Sequence, residues 1–152
     1  MEQENNSNII MTDYINNLIA FFDSLEIAYV EKVYDEKQVL LLTYAIQNGP
    51  EITLIIHFDM DDCMVSVGVV DLFTITDKAM LPYFYELANR LNSTQRYATF
   101  GIEDEEEPCT FGVFYNMPVQ ENSDPSIIIR VLRNVVESCE QGYLECMKLT
   151  LL

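Results

Sequence analysis

The sequence predicts an α+β domain: three helices and a single mainly antiparallel sheet of five or six strands, in the order α-β-β-β(-β)-α-β-β-α. Three observations carry this. Apolar residues recur at spacings of three and four in three separate segments, which is the period of one helical face. In the stretches between them the period changes to two, which is the period of a half-buried strand. The links between neighbouring strands are too short for parallel crossovers, so the strands must pair antiparallel. A chain of 152 residues suits one domain, and 49% hydrophobic residues supply ample material for its core.

Taken in order, residues 1–8 are polar and expected to be flexible. Met11, Tyr14, Ile15, Leu18, Phe22 and Leu25 then share one face, giving a helix over about 9–25. A meander of strands follows over about 29–70. Tyr29–Tyr34 is a short strand, turned by Asp35-Glu36-Lys37 into the β-prone run Val39–Ile46. Asn48-Gly49-Pro50 turns the chain again. Ile52, Leu54, Ile56 and Phe58 alternate with Glu51, Thr53, His57 and Asp59, and after a turn Val65, Val67 and Val69 alternate with Ser66 and Gly68.

Asp77 begins a second helix over about 77–92, with Pro82 tolerable in its first turn. Its stripe is Met80, Phe84, Leu87, Ala88 and Leu91. A hairpin over about 97–119 carries two more alternating strands around the charged loop Glu103–Pro108. Asp124-Pro125 opens the last helix, over about 125–148, as a capping residue followed by proline. Ile128, Val131, Leu132, Val135, Cys139 and Met147 fall near one face of it.

The strand pattern separates two faces. One holds Ile52, Leu54, Ile56, Phe58, Val65, Val67 and Val69, and helices should cover it. The other holds Thr53, His57, Ser66, Gly68, Thr99, Gly101, Thr110 and Gly112, with Tyr97 and Phe114 among them. That second face is small-residued and semi-polar. It is the candidate surface for a partner, with His57, Tyr97, Thr99 and Phe114 as its named residues. A merely solvated sheet face is the competing reading.

Charge excludes some functions. Twenty-five acidic residues stand against 8 basic ones, a formal net charge of −17. Such a surface repels phosphate backbones and anionic lipid heads, so neither nucleic acid nor membrane is an expected partner. No run of ~18 apolar residues occurs, and the start of the chain lacks the basic and apolar regions of a secretory signal. The expected location is the cytoplasm.

No catalytic, cofactor or metal site is expected. His57 is the only histidine; Asp59 lies two residues along the same strand face, but no serine or cysteine stands on a nucleophile elbow. Asp59, Asp61 and Asp62 resemble a fragment of a calcium loop, yet position 12 counted from Asp59 is Val70, so a polar turn is the better reading. Glu103–Glu107 reads as a solvated hairpin tip. Cys63, Cys109, Cys139 and Cys146 have spacings of 46, 30 and 7, unlike a zinc site, and read as free thiols. Glycine-rich phosphate cradles are missing from the sequence.

The element order, with Leu87-Ala88-Asn89-Arg90-Leu91-Asn92, then Tyr97-Ala98-Thr99-Phe100-Gly101-Ile102, an acidic turn, Tyr115-Asn116-Met117-Pro118-Val119 and a capped long helix, resembles the YbjN family. That family shares the fold of class I type III secretion chaperones. The local resemblance covers about residues 84–148, while residues 35–71 match in strand character only. It implies a non-enzymatic, dimeric, protein-binding role, either as a regulator or chaperone-like module or as a dedicated secretion chaperone. The partners implied are a second copy and an unidentified protein. A small-ligand binder or enzyme using the open face around His57, Asp59 and Tyr97 is the remaining alternative.

Overall fold

A computed structural model describes residues 1–151. It contains helix α1 (Glu2–Ser24), strands β1 (Val30–Tyr34), β2 (Lys37–Ala45), β3 (Glu51–Asp59) and β4 (Met64–Ile75), helix α2 (Leu81–Thr94), strands β5 (Thr99–Glu103) and β6 (Cys109–Pro118), and helix α3 (Ile127–Thr150). The six strands form one sheet in the order β1-β2-β3-β4-β6-β5, with every neighbouring pair antiparallel. The expected fold class and element order are therefore those of the molecule.

All three helices pack their apolar stripes into a single core. Met11, Leu18 and Phe22 of α1, Phe84 of α2, and Ile128, Val135 and Cys139 of α3 are essentially inaccessible. They meet Leu40, Ile56, Val65, Val67, Phe111 and Val113 from the sheet. Aromatic rings fill one end: Phe111 lies 5.8 Å from Phe100 and 6.3 Å from Phe84, centroid to centroid, in the tilted arrangements that aromatic pairs prefer.

Several boundaries differ from the sequence expectation. Helix α1 starts at Glu2 and not near residue 9, and Glu2 and Glu4 in its first turn complement the helix dipole. Strand β4 runs past 70 to Ile75, because a bulge between Val69 and Phe73 absorbs the break in alternation at Asp71. A short 3-10 turn at Lys78–Met80 precedes α2, with Asp77 accepting the Ala79 N–H at 3.0 Å, and Pro82 sits in the first turn of α2. Asp124 likewise accepts the Ser126 N–H at 2.9 Å, but the helix proper starts at Ile127. That N–H bond holds the exposed Asp124 carboxyl below its ordinary pKa.

The two sheet edges are treated differently. At the β5 edge the Asn92 side chain accepts the Phe100 N–H at 2.7 Å and donates to the Phe100 carbonyl at 2.9 Å. One amide thus stands in for a neighbouring strand and closes that edge to pairing. Asn92→Ala is expected to cost about 1–3 kcal/mol, because two partly buried backbone groups lose their partner. Urea denaturation checks this, and a change below ~0.5 kcal/mol would contradict it.

All four cysteines are free thiols, with Cys109, Cys139 and Cys146 buried and Cys63 half-buried. Burial, reinforced by Glu140 beside Cys139 and Glu145 beside Cys146, pushes both thiols up to about 12. Burial and then Asp124 raise the Tyr14 phenol to about 12. These groups keep their protons in the folded chain after the unfolded chain, with thiols near 9.0 and phenol near 10.0, has lost them. Their stabilising effect is complete below pH 9 and declines as pH rises towards 12. The melting temperature should therefore fall steadily over that window. In the native protein at pH 8, a thiol reagent should label Cys63 first and the three buried cysteines only on unfolding. Equal labelling rates would contradict this packing.

Candidate binding face of the sheet

The helices cover one face of the sheet and leave the other open. Strand alternation assigns the open face. It carries Thr53, Ile55 and His57 from β3, Ser66 and Gly68 from β4, Gly112, Phe114 and Asn116 from β6, and Thr99 and Gly101 from β5. The register then aligns one row across all six strands. Val30 stands opposite Leu41, Leu41 opposite Ile55, Ile55 opposite Gly68, Gly68 opposite Phe114, and Phe114 opposite Thr99. This row contains no charge and four large apolar side chains.

The adjacent row is more polar. Lys32 stands opposite Val39, Val39 opposite His57, His57 opposite Ser66, and Ser66 opposite Asn116. Ser66 donates to Asn116 Oδ1 at 2.6 Å. Val39 is only 3% exposed, although it belongs to the open face and not to the main core. Strand-borne carboxylates of this face stand at its margins: Glu51 and Asp59 at the two ends of β3, and Glu103 at the end of β5. In a chain of net charge −17, the centre of this face is free of acid.

Phe114 is held flat by glycines. A Cβ on Gly68 would lie 2.8 Å from its Cδ1, one on Gly112 3.2 Å from its Cζ, and one on Gly101 3.5 Å from its Cε2. Three of the five glycines therefore make a floor for one ring. The phenyl group covers their backbone and remains 36% exposed on its outer side.

Three of the four residues singled out from the sequence, His57, Thr99 and Phe114, are on this face. His57 and Phe114 are two strands and one row apart, roughly 12 Å by ordinary strand spacings. Tyr97 is not with them. It lies in the bend before β5, is 61% exposed, and lines a small cavity with Asn134, Ser138 and Gln141 of α3, on the helical side. Strand β5 begins only at Thr99, so the alternation that would have carried Tyr97 to the open face does not extend to it. Sequence reasoning missed Leu41 and Ile55. The available signal was Ile55 itself, an aliphatic residue in the polar phase of β3.

The candidate chemical groups have local structural partners. Asp59 Oδ1 accepts the N–H groups of Asp61 and Asp62, both at 3.1 Å, which shapes the β3–β4 turn. The acidic β5–β6 loop is tethered: Tyr85 donates to Asp104, and Lys78 pairs with Glu107. Among the described residues, no cluster of three or more His, Cys, Asp or Glu side chains is arranged to hold a metal ion. None of the described helices is long and apolar enough to cross a membrane.

The chain is similar to the crystal structure of YbjN from E. coli, described there as a proposed transcription regulator, with a TM-score of 0.64 over 86% of this chain and 89% of that one. The chain has a YbjN-like fold. Identity between the two is 15%, so the likeness is one of architecture. No family model matches the sequence, and no curated protein matches it.

Proposed function

We propose that this chain is a non-enzymatic, protein-binding regulator or chaperone-like module of the cytoplasm, and that it self-associates through the open face of its YbjN-like sheet. The carrying observation is the uncharged row Val30–Leu41–Ile55–Gly68–Phe114–Thr99. Two copies of a chain with net charge −17 repel each other over most orientations. The centre of this face is where they can meet without opposing carboxylates, and flat apolar rows on two sheets pack against each other. A strongly basic partner would instead favour a face that displays acid, and this one does not.

The non-enzymatic part of the reading is supported by where the chemical groups are used. Asp59 is engaged in its own turn, and the most shielded thiols, Cys139 and Cys146, are held protonated by burial. Light scattering on the purified chain tests the reading. A mass of two chains at micromolar concentration is expected; a monomer throughout would count against it.

A further inference from the structure

A second surface lies on the helical side, where β2 outruns β1. Pairing between them ends at Val30–Leu41, but β2 continues to Ala45. The β1–β2 turn is a two-residue hairpin through Asp35 and Glu36, both at positive φ, so Tyr34–Lys37 is a hydrogen-bonded pair. Alternation from that pair points the N–H and C=O groups of Thr43 and Ala45 outward, past the end of β1. No hydrogen bond among the described residues engages them on that side.

This unpaired edge borders a groove of about 610 Å³ between the sheet and α3. Leu42, Leu54 and Val136 form its apolar floor, and Ile27, Ile129 and Leu132 its half-buried walls. Arg133, Glu137 and Glu140 line its charged rim, which leaves an excess of one carboxylate.

The geometry points to a docking site for an extended polypeptide segment that adds to β2 at Thr43 and Ala45, places an aliphatic side chain in the α3 groove, and carries a basic residue beside it. Each part of the assignment has its own cause. Backbone groups at strand spacing select an extended chain over a helix or a small molecule. The groove accepts alternate side chains on one side of such a strand, next to Leu42. The rim and the chain's net charge of −17 select a basic flank over an acidic one. This site rests on the protein-binding reading but shares no residue with the central row of the open face, so either can fail alone.

The test uses the full chain and a fluorescent eight-residue peptide of alternating leucine and lysine. Anisotropy should show saturable binding, and amide NMR shifts should move at Thr43 and Ala45. N-methylation of the alternate peptide nitrogens that face β2 removes the donors to the Thr43 and Ala45 carbonyls and crowds the edge, and should weaken binding by about tenfold or more. Leu132→Gln, which removes a groove wall without adding charge, should do the same, and a leucine–glutamate peptide should bind more weakly. Equal binding of the N-methylated peptide would overturn strand addition and leave a plain apolar groove. Indifference to Leu132→Gln, or no binding up to millimolar peptide, would overturn the site.

Discussion

Replacing Phe111 with alanine should remove about 3–5 kcal/mol of stability, the loss typical of truncating a fully buried phenylalanine. Phe111 is fully buried and lies where the sheet and α2 meet. Its ring stands against Phe84 and Phe100, and across the strands it faces Phe73 and Ile102. Close packing on all sides leaves the site little freedom to collapse, so both the transfer term and the cavity term apply. A domain of ordinary stability has only ~5–15 kcal/mol in total, so the variant should sit near the edge of folding at 37 °C. Urea denaturation checks this. A loss below ~2 kcal/mol would mean that the aromatic cluster is loosely packed.

The second large effect is expected at Gly112. A Cβ there would lie 2.6 Å from the Val69 carbonyl oxygen and 2.9 Å from that of Val70. Both are backbone atoms at the bulge of β4, and they move only if β4 and β6 separate locally. Gly112→Ala should therefore cost about 1–3 kcal/mol, and Gly112→Val more, since overpacked sites relax poorly. The same Cβ approaches Phe114 Cζ at 3.2 Å and should tilt the ring off its glycine floor. Stability and self-association should then fall together. An alanine variant as stable as the parent would show that the bulge yields easily.

What could be read in the sequence is what depends on local period. The alternation of Ile52, Leu54, Ile56 and Phe58 with polar residues fixed a strand and its buried side. Asp77 with Pro82, and Asp124 with Pro125, marked helix starts to within a few residues. What escaped depends on register or on contacts across long separations. Ile55 joins Leu41 and Phe114 in one row only because three strand pairings align them. Asn92, which the family resemblance marks as part of a helix end, closes a sheet edge through Phe100, eight residues away. Tyr97 shares the alternation phase of Thr99 and Gly101, but β5 begins only two residues after it, so that phase does not set its side. The α3 groove exists because β1 stops at Val30 while β2 continues, a mismatch that no hydrophobic period reports.

Self-association through the open face is tested most directly by sedimentation equilibrium of the parent chain beside Ile55→Asp. Ile55 stands in the middle of the uncharged row, half-exposed on the open side of β3, so an aspartate there places a carboxylate at the proposed interface while the helical core is untouched. A dimeric parent is expected, with a monomeric variant whose melting temperature matches that of the parent when both are diluted to monomer. A variant that dimerises as tightly as the parent, or a parent that stays monomeric at high micromolar concentration, would contradict it.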